Sequence, residues 1–339
     1  MQIGGVPRIR LANLPTPLEE MPRLTEALGG PRLFVKRDDL TGLGWGGNKI
    51  RKLEFVMADA KRKGADTVIT FGGVQSNCAR EISAAARRLG MKPVLFLLGK
   101  EPEEYTGNLL LDKIFGAEIH FFEIPPGVQT GGIDLEMAMK MMEQIAAGRV
   151  SELESEGRRC YIIPAGACTP IGCVGYVNAV LELVQQANDR GIKIDYIVHA
   201  TGSGGTQAGM VLGVKALNAG IEVVGVDIGG EFKNMESFIA KMANETAKVL
   251  GLGVSVKKEE VTILRGYVGE GYAIPTEECI EAIKLVAEKE GLTLDPVYTG
   301  KAMAALIDQV REGAFSKEEN VVFLHTGGEP AVFAYPRFF

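Results

Sequence analysis

A chain of 339 residues exceeds the roughly 100–200 residues of an ordinary domain, so it has room for two domains or one large one. Hydrophobic residues make up 46% and charged residues 24%, the balance of a globular protein, which argues against disorder, a fibrous repeat or a membrane protein. The net charge is −6 with basic residues spread along the chain, whereas a nucleic-acid partner would need a concentrated basic stripe.

In chain order, a strand is expected at 67–71, a helix at 79–89, strands at 94–98 and 118–122, a helix at 135–147 and a strand at 161–163. There follow a helix at 174–187, a strand at 196–199, a helix at 207–217, a strand at 222–227, helices at 276–288 and 301–311, and a strand at 321–325. Most of these strands are continuous aliphatic runs without alternation, as parallel strands buried on both faces read. The alternation of strand and helix implies an α/β protein with parallel-rich sheets flanked by helices. The least regular stretches are 41–47, 123–132 and 148–159. No apolar run approaches the about 20 residues of a membrane span, and Met1-Gln2-Ile3-Gly4-Gly5 lacks a secretory leader pattern; a cytoplasmic protein is expected. Five cysteines with no C-x-x-C pair suggest reduced thiols.

Glycine clusters mark where chemistry is to be sought. Gly72-Gly73-Val74-Gln75-Ser76-Asn77, Thr201-Gly202-Ser203-Gly204-Gly205-Thr206 and Thr326-Gly327-Gly328-Glu329-Pro330 each follow a strand and precede helical structure, at the strand edge where open α/β sheets bind ligands. Gly202 to Thr206 suits an anion, because small residues let several amides face one oxyanion at a helix start; a tight turn using glycine for geometry alone explains it equally. Gly46-Gly47-Asn48-Lys49 puts a lysine at the start of a helix, where it could act as a Schiff-base nucleophile or simply be solvated. Ser76 reads as a helix N-cap or as a ligand for a carboxylate. Tyr272 and Tyr298 lie in Gly- and Pro-rich loops, and His120, His199 and His325 read as structural. A serine hydrolase is not supported, since Thr201-Gly202-Ser203-Gly204-Gly205 lacks the first glycine of G-x-S-x-G; a metal site has no H-E-x-x-H or paired cysteines.

Taken in order, Gly46-Gly47-Asn48-Lys49-Ile50-Arg51-Lys52-Leu53-Glu54, Gly73-Val74-Gln75-Ser76-Asn77, Gly202-Ser203-Gly204-Gly205-Thr206-Gln207-Ala208-Gly209, Asp295-Pro296-Val297-Tyr298-Thr299-Gly300-Lys301 and His325-Thr326-Gly327-Gly328 resemble the D-cysteine desulfhydrase and 1-aminocyclopropane-1-carboxylate deaminase family, nearer to the desulfhydrase branch. The resemblance implies a two-domain, tryptophan-synthase β-like (fold type II) enzyme using pyridoxal 5'-phosphate, with a small domain at 46–165 and a large one formed by 1–45 and 166–339. It implies that Lys49 holds the cofactor and moves protons at the substrate Cα, and that Gly202, Ser203, Gly204, Gly205 and Thr206 cradle its phosphate. Asn77 would bind the pyridine 3-oxygen and Thr299 the pyridine nitrogen; Ser76, Tyr272 and Tyr298 would attend the substrate. Threonine at 299, where the cyclopropane deaminases resemble one another in carrying glutamate, implies β-elimination from a small amino acid. D-cysteine, giving pyruvate, ammonia and hydrogen sulfide, is the first expectation. L-cysteate lysis, cyclopropane deamination and non-catalytic cofactor binding are the alternatives. A homodimer is also implied. Two departures stand beside the site: Cys78, where histidine or glutamine is usual, and Glu81, where glutamine is usual.

Overall fold

The computed structural model describes residues 3–123, 135–229 and 232–339. The elements run β1 (Leu18–Glu20), α1 (Pro22–Leu28), β2 (Arg32–Arg37), α2 (Lys49–Arg62), β3 (Thr67–Gly73), α3 (Asn77–Arg88), β4 (Lys92–Leu98), α4 (Gly107–Ile114), β5 (Glu118–Phe122) and α5 (Leu135–Ser155). They continue as β6 (Cys160–Ile163), α6 (Pro170–Asp189), β7 (Tyr196–Thr201), α7 (Gly205–Leu217), β8 (Glu222–Asp227), α8 (Met235–Val249), β9 (Thr262–Leu264), α9 (Glu277–Glu290), α10 (Thr299–Arg311) and β10 (Asn320–His325).

Among the described residues these strands form two sheets, one in the order β5-β4-β3-β6 and one in the order β1-β2-β10-β7-β8-β9. The first is wholly parallel, and the second is parallel except where β1 meets β2. Helices cover both faces of the larger sheet. Phe34, Ile197, Val322 and Leu324 point into a core shared with α6, α7 and α8, while Leu33, Val35, Val198, Val321 and Phe323 point into a core shared with α1, α9 and α10. This two-sided burial is why all six residues of β10 are buried and why its stretch 321–324 reads as an apolar run. In the smaller sheet, Val68 packs with Ile50, Leu53 and Ile82 from α2 and α3, and Ile69, Phe71, Val94 and Phe96 pack with Ala146 and Leu153 of α5.

Helix α2 joins the two sheets and is buried from Ile50 through Ala60, charged residues included. It lies so close to α6 that a Cβ on Gly175 would collide with the Arg51 carbonyl. Its buried Arg51 donates to Asp38 through Nε and Nη2, both at 2.8 Å, and to Glu182 at 2.8 and 3.0 Å. Lys36 reaches the same Glu182 at 2.6 Å, and the Tyr176 hydroxyl donates to Asp38 at 2.6 Å. One ionic cluster thus ties β2 and the turn after it to α2 and α6.

The structure corrects part of the sequence reading. Residues 148–159, expected to be irregular, continue α5 as far as Ser155. Gly148, which helped suggest a break, has open space around it, and a single glycine weakens a helix by only about 1 kcal/mol. Most of 123–132 lies outside the described residues. The stretch 41–47 is irregular as expected, built from short 3₁₀ turns. Six elements were not expected at all: β1, α1, β2, α4, α8 and β9.

Candidate active site

The three glycine clusters follow strand ends, as expected, and belong to two sheets. The first follows β3 in the small sheet, and the others follow β7 and β10 in the large one. They converge on a cavity of about 280 Å³ whose wall includes Gly73, Thr201 and Thr326. Every expected site residue lines this cavity except Gly205 and Thr299.

Lys49 is the first residue of α2. Its Nζ donates to Asn48 Oδ1 at 2.8 Å. Asn48, which the sequence reading left without a role, fastens the loop on two sides: its backbone N–H reaches Thr326 O at 3.0 Å, and its Nδ2 reaches Thr206 Oγ1 at 3.1 Å. Lys49 is therefore half-buried on the cavity wall, unlike a freely solvated lysine.

The turn before α7 has the form of an anion cradle. Gly204 adopts φ +75°, open to glycine at little expense, and α7 begins at the next residue. A Cβ on Gly205 would stand 2.9 Å from Cys168 Sγ and 3.1 Å from Lys52 Nζ. Gly205 thus lies behind the wall with a lysine amine at its back. Lys52 is fully buried, and its Nζ donates to Gly166 O at 3.1 Å. Burial, reinforced by the neighbouring Lys49, pulls its amine down to about 8. Lys52 was not among the residues expected at the site. The available signal was its spacing, since residues three apart share a helix face. Gly166 packs directly on the Ser203 hydroxyl, leaving no room for a Cβ, and Thr201 Oγ1 is buried on this wall with no hydrogen-bond partner in the described structure. Glycine amides, a buried cation and an unpartnered hydroxyl fit a phosphate ester.

Helix α3 supplies the opposite wall. Ser76 is the N-cap of α3, accepting the Ala79 N–H at 3.2 Å, and it lines the cavity. Asn77 Oδ1 accepts from Asn108 Nδ2 at 2.6 Å, which leaves the Asn77 amide nitrogen available to donate. Cys78 also lines the cavity; burial pushes its thiol up to about 11, so it is a neutral group at physiological pH. Tyr272 lies against Gly73, and its ring meets Tyr298 edge-on with centroids 5.8 Å apart. The two hydroxyls are hydrogen-bonded to each other. Burial holds both phenols above their ordinary range, so they keep their protons.

Thr299 sits off the cavity wall, fully buried. Its Oγ1 accepts the Asp295 N–H at 2.7 Å and donates to Asp295 Oδ1 at 2.7 Å. Asp295, also fully buried, receives the backbone amides of Val297, Tyr298 and Thr299 at 2.8–3.0 Å. Burial raises its carboxyl pKa and these amides oppose the rise. A carboxylate behind Thr299 was not expected from the sequence. Each histidine has partners of its own: His120 stacks on Phe96 and its Nε2 meets the Glu118 carboxylate at 2.7 Å, His199 Nδ1 bonds to Ala200 O, and His325 Nε2 bonds to Thr293 O. His325 also stands near Asp39 and Glu329, but its Nδ1 accepts the Gly327 N–H, so both ring nitrogens are engaged. All five cysteines are free.

Two parallel-rich sheets with a lysine-bearing cavity where their strand ends converge define a fold type II pyridoxal-phosphate enzyme. The family profile described as pyridoxal-phosphate dependent enzyme matches residues 9–327, and the chain belongs to that family. It is a pyridoxal-phosphate-dependent lyase. A Pyrococcus abyssi protein provisionally named 1-aminocyclopropane-1-carboxylate deaminase is 42% identical over 333 residues, covering 98% of this chain and 95% of that protein. A D-cysteine desulfhydrase of Klebsiella pneumoniae is 40% identical over 334 residues, covering 97% and 96%. A crystal structure of an ACC deaminase homologue matches with a TM-score of 0.86 at 42% identity, covering 99% of this chain and 96% of that one. Among the described residues no helix is long and apolar enough to cross a membrane.

Proposed function

We propose that the enzyme catalyses β-elimination from a small amino acid with a neutral leaving group, D-cysteine first, yielding pyruvate, ammonia and hydrogen sulfide. The observation that carries this reading is the charge inventory of the cavity. Lys49 is the sole cation and no carboxylate is present among the described residues that line it. The undescribed segments 124–134 and 230–231 contain no Lys, Arg or His, so they bring no further cation. The sulfonate of cysteate would want a second cation, which disfavours that alternative. Cyclopropane opening would want a carboxylate at 299, where this chain has a hydroxyl backed by Asp295.

Pyridoxal phosphate, when bound, supplies the electron sink that lets an amino acid lose its Cα proton. Lys49 would hold the cofactor, and its Nζ would then take the proton from Cα. The 202–206 turn and Lys52 would bind the phosphate, Asn77 the 3-oxygen, and Ser76 the substrate carboxylate. Thr299 would meet the pyridine nitrogen with a neutral oxygen whose proton is already given to Asp295. Tyr272 and Tyr298, which retain their protons, would protonate the departing sulfur. The apolar side chains of Phe71, Phe122 and Met142 on the wall would keep water from the reacting carbon. The overall change is cysteine plus water to hydrogen sulfide, pyruvate and ammonium. We further propose a small domain at 46–165, a cytoplasmic location and a homodimer, which the family resemblance supports.

The test is turnover by the protein loaded with pyridoxal phosphate, offered D-cysteine, L-cysteine, L-cysteate and 1-aminocyclopropane-1-carboxylate separately. Pyruvate with sulfide from D-cysteine, abolished in Lys49→Ala, is expected. Formation of 2-oxobutanoate from the cyclopropane acid, with no pyruvate from any cysteine-like substrate, would overturn the proposal. Cofactor binding without turnover of any of them would favour a non-catalytic binding protein.

A further inference from the structure

Behind Lys49, outside the cavity wall, two adjacent residues of α3 grip the loop that carries it. Arg80 is wholly buried; its Nη2 donates to Gly46 O at 2.9 Å and its Nη1 to Gly44 O. Its Nε donates to Asn108 Oδ1 at 2.8 Å, and Asn108 in turn holds Asn77. Glu81, equally buried, has the opposite polarity: its Oε2 accepts the Ile50 N–H at 2.9 Å in the first turn of α2. The guanidinium thus takes the carbonyls before Lys49 and the carboxylate takes an amide after it. Gly47 passes so near that a Cβ there would stand 2.5 Å from Glu81 Oε1. That oxygen is buried without a hydrogen-bond partner in the described structure, and the Arg80 guanidinium is 3.8 Å away.

We propose that Glu81 is a positioning residue, which fixes Lys49 at the head of α2 and makes the reactivity of its amine follow the protonation of the Glu81 carboxyl. The inference rests on the reading of Lys49 as the reactive lysine. A carboxylate at a helix N-terminus is favoured by the helix dipole, whereas burial in a nearly closed site disfavours its charge. Burial dominates, opposed by Arg80, Lys49 and the amides of Ile50 and Lys49, and Glu81 titrates at about 7. The groups facing it are Arg80 and Cys78 on α3, Lys49 on α2 and Tyr176 on α6. Cys78 and Tyr176 are neutral in this range, since burial raises both. Lys52 titrates at about 8 beside Lys49, so the informative comparison is between wild type and Glu81→Gln, which share Lys52. The Lys49 ammonium draws the proton off Glu81, so the carboxyl and the amine act on each other. Glutamine keeps an oxygen for the Ile50 amide and removes the charge.

The experiment measures the labelling rate of Lys49 in cofactor-free protein by pyridoxal phosphate trapped with borohydride, the site being read by peptide mass spectrometry from pH 5.5 to 9. Wild type and Glu81→Gln should coincide at the acid end and diverge above neutrality. There the variant should label about tenfold faster, the low end of the effect of an opposite charge nearby. Cofactor affinity, titrated separately, should stay within about threefold in Glu81→Gln and fall roughly tenfold in Glu81→Ala, which also loses the cap. Superimposed labelling profiles, or profiles differing by a constant factor, would overturn the proposal, even if the variants differ in thermal stability. So would an unchanged affinity in Glu81→Ala. If Lys49→Ala retains turnover, the reading of Lys49 itself fails; if Lys49→Ala abolishes turnover while the Glu81→Gln profile superimposes, only the role of Glu81 fails.

Discussion

Lys52→Met should push stability and cofactor binding in opposite directions. Lys52 is fully buried, and its amine titrates at about 8 against an ordinary 10.5. At pH 7 the amine is charged in both the folded and the unfolded chain. A pKa lowered by one is equivalent to about 1.36 kcal/mol, so confining that charge costs the folded state about 3 kcal/mol. The sign follows from proton binding: between pH 8 and 10.5 the unfolded chain holds the proton that the folded chain has lost, so wild-type stability rises with pH through that window. Methionine has similar length and no charge, so the cofactor-free variant should be more stable than wild type at pH 7, less the hydrogen bond to Gly166 O, worth about 1 kcal/mol. The advantage should vanish by pH 10.5. The phosphate should lose a charge-assisted partner worth about 1.5–3 kcal/mol, which is roughly 10- to 150-fold in affinity. Urea unfolding of cofactor-free protein at the two pH values, with a pyridoxal phosphate titration, checks both signs. A variant that is less stable at pH 7, or that binds the cofactor as tightly as wild type, would refute the assignment of Lys52 as a buried cation kept for an anion.

Arg51→Met should destabilise by about 3–5 kcal/mol, because it leaves Asp38 charged, buried and short of its main partner; denaturant midpoints measure this. Arg51 holds the Asp38 carboxyl below its ordinary value against the opposing effect of burial. That contribution is therefore present above the unfolded value and lost as pH falls through the folded one, so wild type and variant should approach each other in acid. Thr299→Glu alone should be poorly tolerated, since the new carboxylate would crowd Asp295. Paired with Asp295→Asn it should regain stability and raise 2-oxobutanoate formation from the cyclopropane acid, followed by ketoacid assay; the same double variant with no such gain would count against residue 299 as the determinant.

The regular part of this fold was legible because it obeys one rule: strands covered by helices on both faces carry a run of apolar residues without alternation. β3, β4, β7, β8 and β10 could be read that way. β2 could not, since Arg32-Leu-Phe-Val-Lys-Arg37 has charges at both ends and one of them, Lys36, is buried. Its partner Glu182 lies 146 residues further along the chain, and nothing local announces the pairing. β1 and β9 are three residues each, too short for any periodicity.

The same limit explains the candidate site. Glycines betrayed their positions because their use is local: a turn with positive φ, as at Gly204, favours glycine wherever it occurs. Buried charges betrayed nothing, because their use is tertiary. Ile50-Arg51-Lys52-Leu53-Glu54 looks like a solvated, charge-laced helix start, yet all five residues are buried. Each charge is tolerated for a reason supplied by a distant segment: Arg51 by Asp38 and Glu182, Glu54 by Arg8 at the chain start, and Lys52 by the Gly166 carbonyl. Lys52 stands apart from the others. The ion pairs of Arg51 and Glu54 offset their burial within the protein, whereas Lys52 has a carbonyl and no carboxylate among its partners in the described structure. A charge that folding leaves unneutralised, at the back of a glycine turn, is best explained by an anion the chain itself does not contain. No homologue is needed to reach that anion, and the stability gain predicted for Lys52→Met tests it independently of any turnover assay.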